Sequence, residues 1–237
     1  LTSIEKQGKL TEKLAQQINE SIKLQDLEDL YLPYRPKRRT RGKIAQEKGL
    51  APLAQVIGEQ KHSTGTLTEL ASLLAPELPP DEALAGAADI LAESLADDPD
   101  HRKKVRELTW QKGVLMTTLK NEETDPPGVF KIYYDFQQPL KQLPPHRVLA
   151  INRGEKSQVL QVKISAPIED ILHYLVRKTV LRPSIFTPLL QDICKDAYQR
   201  LIAPAVEREI RNTLTERAEA HGINVFANNL KNLLMLA

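Results

Sequence analysis

The sequence predicts a mainly α protein, a multi-helix bundle with a helix-turn-helix-like part and at most a short minor β element. Three observations lead to this fold class. The 237 residues are 41% hydrophobic but only 5% aromatic, and the apolar residues are mostly Leu, Ile and Ala, which favour helix over strand. Apolar residues recur at every fourth position near both ends of the chain. The best strand candidate is the run 159–164 (VLQVKI).

Residues 2–22 predict one amphipathic helix at the start of the chain. Charged and amide residues separate its apolar positions, so a single face would be buried. A seam of leucines then continues to Leu32. There Pro33 and Pro36 fix two backbone φ angles and disfavour helix at the residues before them, so the chain is expected to be extended and stiff. The apolar positions of the helix, four residues apart, are Leu10, Leu14, Ile18 and Ile22.

Six basic residues lie around and after these prolines, and we call them the basic strip. Between residues 30 and 46 there is no acidic residue. The whole chain carries 33 Lys and Arg against 31 Asp and Glu, so without the strip it would carry 27 against 31. The positive charge is therefore local, and a local cationic surface suits a polyanion such as RNA or DNA. The strip consists of Arg35, Lys37, Arg38, Arg39, Arg41 and Lys43.

The basic strip has a functional and a structural interpretation, and the sequence leaves both open. In the first, Arg38, Arg39 and Arg41 contact phosphates in bidentate fashion while the lysines add point charge. Tyr31 and Tyr34 would then stack on bases. In the second, the cations pair with neighbouring acids, and the tyrosine rings pack on the leucine seam. Those acids are Asp26, Glu28 and Asp29.

Two short helices are predicted over residues 41–48 and 51–59, with Gly49 between them. Helix, glycine turn and helix together form the outline of a helix-turn-helix motif. Any two short helices joined by a glycine share that outline, so a plain αα corner is the preferred interpretation. A DNA-reading motif stays open as the alternative.

The polar stretch 58–65 (GEQKHSTG) predicts a boundary between two modules. Residues 1–62 would form an N-terminal basic helical module with the helix-turn-helix-like part, and residues 63–237 a helical scaffold. Within the scaffold, Asp98 followed by Pro99 predicts the start of a charged helix, because Asp caps helices and proline favours the first helical position. We prefer this interpretation of the local acidic group to a metal site.

The second half of the chain is predicted to be helical except around the strand candidate. Residues 130–136 fit either a strand or a helix. A helix that starts at two prolines is expected to end near Gly154, and another is expected to run from Pro204 to Gly222. An apolar face follows that is left largely uncovered and is expected to lead into a further domain. It comprises Ile223, Phe226, Leu230, Leu233 and Leu234.

The sequence offers no positive evidence for catalysis, a cofactor or a metal. Neither GxGxxG nor GxxxxGK[ST] occurs, and no two of the five histidines lie three or four residues apart. The single cysteine, Cys194, excludes an intrachain disulfide and is expected to be a buried, inert thiol. No apolar run approaches the roughly 18 residues of a membrane span. We expect a non-enzymatic, cytoplasmic protein and treat the chain as a fragment.

Five segments together resemble the bacterial transcription accessory protein Tex family over essentially the whole chain. One departure is Ala88, which stands where a basic residue is common in that family. The segments are 27–41 (LEDLYLPYRPKRRTR), 86–93 (GAADILAE), His146-Arg147 with Arg153-Gly154, 196–211 (DAYQRLIAPAVEREIR) and 226–234 (FANNLKNLL).

The resemblance implies a role in transcription and a particular domain order. Members have a helical N-terminal region with a helix-turn-helix-like part, followed by an RNase H-like, a helix-hairpin-helix and an RNA-binding OB-fold domain. They look like the core of a eukaryotic elongation factor that also binds histones. This chain would correspond to the N-terminal helical region. The leading hypothesis is thus a scaffold with weak, nonspecific nucleic-acid contact, and the alternatives are a module docking on RNA polymerase or on the remaining domains, and a nuclease.

Overall fold

The computed structural model is mainly α, as the sequence predicts. It describes residues 2–5, 7–21, 24–34, 39–61, 65–125 and 127–235, and of residues 2 and 24–26 it describes the backbone only. The helices in this part of the chain are α1 (Thr2–Glu5), α2 (Glu12–Glu20), α3 (Leu24–Tyr31), α4 (Arg41–Glu47), α5 (Ala51–Glu59), α6 (Leu67–Leu74), α7 (Pro80–Asp97), α8 (Pro99–Lys112), α9 (Pro145–Lys156), α10 (Ile168–Thr179), α11 (Thr187–Asp196) and α12 (Ala203–Met235).

The β element is one small antiparallel sheet of strands β1 (Val114–Leu119), β2 (Asp135–Pro139) and β3 (Leu160–Ser165), in the order β2-β1-β3. The predicted strand at 159–164 is confirmed as β3. The open question at 130–136 is resolved as a 3₁₀ turn, Lys131–Tyr133, followed by β2. The sequence interpretation did not anticipate β1, the central strand. In β1, Leu115 and Thr117 are buried and Met116 between them is exposed.

The chain divides into two compact units. Unit 1 comprises Leu1–Val105 and Glu169–Pro204, and unit 2 comprises Arg106–Ile168 and Ala205–Ala237. The boundary predicted at residue 62 falls on residues 62–64, which lie outside the described residues. The division into modules 1–62 and 63–237 therefore stays a prediction.

Unit 1 is built around α7. Helices α4, α5, α6 and α11 all contact it. Small residues let these helices approach closely: Ala83 and Ala87 are fully buried, and a Cβ at Gly86 would lie 2.3 Å from Leu50 Cδ1. The apolar residues of α7 thus form the centre of this core.

The predicted single helix over 2–22 is wrong, because the structure breaks it into α1 and α2. Gly8 has φ +66°, a left-handed conformation that favours glycine and interrupts a helix. The hydroxyl oxygen of Thr11 then accepts from Leu14 N at 3.2 Å and caps α2. The apolar residues at i, i+4 spacing all follow Gly8, so the periodicity supports α2 and does not extend to α1.

Unit 2 packs α9 against the sheet, and Gly154 lies at their contact. A Cβ at Gly154 would lie 2.6 Å from Leu160 Cδ1 and 3.0 Å from Phe130 Cδ1. The predicted helix end near Gly154 is confirmed, because α9 ends at Lys156. The glycine itself lies inside the helix, where it permits close helix–sheet packing. The predicted end at Gly222 is wrong, because α12 continues through it to Met235. The two glycines lie inside helices, and neither has a positive φ angle.

Asp125 anchors the turn between β1 and β2. Asp125 is buried, with 5% of the residue exposed. One carboxylate oxygen accepts from Val129 N at 2.8 Å, and the other accepts from Phe130 N at 2.8 Å and from the Tyr134 hydroxyl at 3.0 Å. Burial raises the pKa of this carboxyl, but the three hydrogen bonds outweigh it, so the pKa lies below its ordinary value.

Asp125 should therefore make unit 2 sensitive to acid. A depressed folded-state pKa stabilises the fold above the unfolded-state pKa of about 3.9, and this stabilisation is lost as the pH falls through the folded-state pKa. The Asp125→Asn variant should unfold at lower urea than the wild type at pH 7. The difference between their urea midpoints should shrink at pH 3. An equal difference at both pH values would show that the carboxylate does not stabilise the turn through its charge.

Candidate nucleic-acid interface

The structure describes half of the basic strip. Arg35, Lys37 and Arg38 lie outside the described residues. Arg39 lies just before α4, and Arg41 and Lys43 lie in its first turn. All three side chains are exposed. The start of α4 therefore presents three cations to solvent.

A carboxylate of α7 holds the start of α4 in place. Glu93 Oε1 accepts from Gly42 N at 2.8 Å, and Glu93 Oε2 accepts from the Thr40 hydroxyl at 2.8 Å. The Thr40 hydroxyl oxygen in turn accepts from Lys43 N at 3.2 Å and caps the helix. A Cβ at Gly42 would lie 2.7 Å from Glu93 Cδ, so only glycine fits this contact without a shift. One side of α4 is thus fixed on α7, and Arg41 and Lys43 lie outside that contact.

The described cations of the strip differ in their ion pairing. Arg39 pairs with Glu47 at 2.9 Å, and these side chains are 71% and 47% exposed. Such an exposed pair contributes roughly 0–1 kcal/mol, so a phosphate can compete for Arg39. Among the described residues, neither Arg41 nor Lys43 has an ion-pair partner. Within the described residues, Arg39 is the only cation of the strip with an ion pair, and its partner Glu47 is not one of the acids that the structural interpretation named.

Asp29, one of the acids suggested as a partner for the strip, lies in the interior of unit 1. It is 4% exposed, and its Oδ1 atom lies 3.3 Å from Arg102 Nε of α8. Arg102 is itself 7% exposed. The contact joins α3 to α8, so this carboxylate has a structural role.

The two tyrosines lie beside the strip and are both half-buried. The Tyr31 hydroxyl shares a hydrogen bond with Ser3 Oγ at 3.2 Å. The Tyr34 carbonyl oxygen accepts from Gln7 Nε2 at 2.8 Å, which ties the 3₁₀ turn Leu32–Tyr34 to the start of the chain. These contacts fix the turn next to the strip. Stacking of the rings on bases stays a prediction.

The outline of two helices and a glycine turn is confirmed by α4 and α5. Gly49 between them has φ +78°. Its use as a DNA-reading motif stays a prediction, and α5 does not favour it. The residues Leu53, Ala54 and Ile57 of α5 are buried, and the helix contains no Lys or Arg with which to contact bases or phosphates.

Other candidate sites have structural explanations. Asp98 Oδ1 accepts from Asp100 N at 2.9 Å and from His101 N at 3.0 Å, so the predicted cap of α8 is confirmed. In the described ranges, no group of three or more His, Cys, Asp or Glu side chains could hold a metal ion. Cys194 is fully buried, and burial raises the pKa of its thiol, as expected for an inert cysteine. No helix of the described chain is long and apolar enough to span a bilayer.

Comparison with known proteins identifies the family. Residues 78–226 match the family described as Tex central region-like. The chain belongs to this family. The resemblance to Tex found in the sequence is thereby confirmed.

Relatives of this Tex-family chain match it from end to end. The Uncharacterized protein YdcI of Bacillus subtilis is 40% identical over 98% of the chain and 33% of its own length. The Transcriptional accessory protein Tex of Neisseria gonorrhoeae is 35% identical over 100% of the chain and 32% of its own length. The S1 RNA-binding domain-containing protein 1 of Homo sapiens is 28% identical over 99% of the chain and 25% of its own length. The chain spans about a third of the length of the first two relatives.

Proposed function

We propose that this chain is the helical scaffold of a Tex-like transcription accessory factor, and that its basic strip makes weak, sequence-nonspecific contact with RNA or DNA. The name of the Neisseria relative supports the role in transcription, and the name of the human relative supports RNA as a partner. One observation carries the proposal. Arg41 and Lys43 are exposed on a helix that Glu93 fixes to α7, and among the described residues neither has an ion-pair partner.

The chemistry of the strip sets the expected kind of binding. Contacts to phosphates carry no sequence information, so RNA and DNA of any sequence should bind. The expected dissociation constant is about 10⁻⁴ to 10⁻⁶ M at physiological salt, and each neutralised phosphate should add about 0.9 to the log–log salt slope. A rigid helix start loses little entropy when its cations contact a ligand.

Charge reversal in the strip tests this proposal. The triple variant Arg38→Glu, Arg39→Glu and Arg41→Glu should abolish binding of a labelled single-stranded RNA and of a labelled DNA duplex, measured by fluorescence anisotropy. Two of these residues lie at the start of α4, and Arg38 lies outside the described residues. Unchanged affinity would show that the strip does not contact nucleic acid.

A charge-matched control separates local contact from total charge. Its substitutions, all at exposed positions of unit 1 outside the strip, are Arg177→Glu, Lys178→Glu and Arg182→Glu. This variant has the same net charge as the strip variant and should retain most of the binding. Equal losses in both variants would mean that net charge, and no local strip, governs the affinity.

The proposal includes no bond-making step by this chain. The pure chain incubated with labelled RNA and Mg²⁺ should leave the RNA intact. Reproducible cleavage, absent from a mock preparation, would contradict it.

A second candidate function is docking on another protein surface, and α12 favours it. The predicted uncovered apolar face is confirmed: Ile223 is 68%, Phe226 69% and Leu234 67% exposed. Large exposed apolar faces mark interaction sites. RNA polymerase or the remaining domains of the longer relatives are the proposed partners. Capture of purified polymerase in high salt, without any nucleic-acid binding, would favour this function over the first.

A further inference from the structure

Two cations and a histidine of unit 2 share one side of α9. His146, Arg153 and Lys156 are all exposed. At 100° per residue, Arg153 lies about 20° and Lys156 about 80° from His146 around the helix axis, and the three span about 15 Å along it. The opposite side of α9 carries the buried residues Val148 and Ile151. The cations therefore point away from the core of unit 2.

The single acidic residue of α9 does not neutralise these cations. Glu155 is held by Arg211 of α12 through two parallel hydrogen bonds, Nη1 to Oε1 at 2.8 Å and Nη2 to Oε2. The Glu155 hydrogen bond raises the pKa of Arg211, as expected for a tight pair. Asn152, one turn earlier, donates to Thr215 Oγ1 of α12 at 2.8 Å. Glu155 and Asn152 are thus already paired with α12, and neither neutralises the cations.

We infer that His146, Arg153 and Lys156, the α9 cationic face, form a second contact for the phosphate backbone of RNA or DNA. This inference rests on the proposed function of the chain and places part of its nucleic-acid contact in unit 2. The planar guanidinium of Arg153 suits bidentate phosphate contact, and Lys156 adds point charge. Among the described residues, these three side chains have no ion-pair partner.

The composition of the face favours nucleic acid over an acidic protein. Protein interfaces depend on large apolar or aromatic anchors at their centre. No large hydrophobic side chain of α9 is exposed: Leu149 and Ala150, which lie among the cations, are half-buried. Phosphate contact needs only cations in reach of the backbone, and the face supplies these.

The inference has a quantitative consequence for salt dependence. If Arg153 and Lys156 each neutralise one phosphate of a DNA duplex, removing both should lower the log–log salt slope by about 1.8. Loss of one cation contact at a time should weaken binding for every sequence alike, because these contacts read no bases.

The test is charge reversal on this face in the 237-residue chain. The Arg153→Glu, Lys156→Glu variant should bind a labelled 30-base-pair duplex at least tenfold more weakly than the wild type in low salt, with the smaller slope given above. The control is Lys141→Glu, Lys163→Glu, which makes the same charge change at two exposed positions of unit 2 outside α9. The control should keep affinity and slope close to those of the wild type. Circular dichroism shows whether charge reversal unfolds unit 2. If it does, the Arg153→Gln, Lys156→Gln variant takes its place, because it removes the two charges with a smaller perturbation.

Running the strip variant in parallel separates this inference from the proposed function. Loss of binding in the strip variant, with wild-type affinity and slope in the α9 variant, would overturn the inference and leave the proposed function standing. Loss of binding in the α9 variant alone would support the inference and would overturn the proposed nucleic-acid contact of the basic strip. Polyglutamate serves as the acidic-protein probe. Binding of polyglutamate that the α9 variant loses, with nucleic-acid binding unchanged, would assign the face to an acidic protein and overturn the inference.

Discussion

Replacing Arg102 by Met should lower the free energy of unfolding by about 3–5 kcal/mol, because it removes a cation that pairs with the buried Asp29 carboxylate. Both residues are buried, at 7% and 4% exposure, and Arg102 Nε lies 3.3 Å from Asp29 Oδ1. Methionine retains most of the apolar stem of arginine, so the loss would come from the charge. Urea unfolding followed by circular dichroism measures it.

Two further variants identify the cause of that loss. Arg39→Met removes a cation from an ion pair whose side chains are 71% and 47% exposed, and it should change the free energy of unfolding by no more than about 1 kcal/mol. The double variant Asp29→Asn, Arg102→Met should recover part of the stability, since no buried charge remains. An Arg102→Met protein as stable as the Arg39→Met protein would show that the buried pair does not support unit 1.

Replacing Glu93 by Ala should destabilise the start of α4 and weaken nucleic-acid binding together. The variant loses the acceptors of Gly42 N and the Thr40 hydroxyl, and hydrogen bonds to a charged group contribute about 1.5–3 kcal/mol each. The net charge of the chain rises by one, so electrostatics alone would tighten binding. Weaker binding would therefore identify the position of Arg41 and Lys43, and not total charge, as the property that matters.

The matched control for this substitution is Glu82→Ala. Glu82 pairs with Lys48 at 2.7 Å, and these side chains are about half exposed. The control makes the same charge change, and it should leave stability within about 1 kcal/mol and binding equal or slightly tighter. Tighter binding by both variants would contradict the account of how α4 is held.

The sequence predicted the elements whose signals are local. The Asp98-Pro99 cap, the Gly49 turn and strand β3 could be found because each depends on neighbouring residues. The central strand β1 could not be predicted, since its run VLMTTL has no clear alternation of apolar and polar residues. Its pairing with β2 and β3 decides its structure, and pairing is a tertiary property.

The errors at glycines have a common physical origin. Glycine ends helices, but it also permits close packing inside them, and the sequence does not distinguish these uses. Gly154 is a packing position against Leu160, whereas Gly8 is a true break with a positive φ. The contact that holds the start of α4 could not be predicted from the sequence either, because Glu93 is 51 residues from Gly42. The cations themselves were found, because a charge cluster is visible without the fold.

The most direct test of the central claim, that a helix fixed to α7 presents cations to nucleic acid, is a backbone amide NMR titration of the chain with a short single-stranded RNA. The account predicts that the amide signals of residues 39–47 shift as RNA is added, while those of residues 223–235 in the exposed apolar part of α12 do not. Shifts confined to residues 223–235, with the signals of 39–47 unchanged, would contradict it.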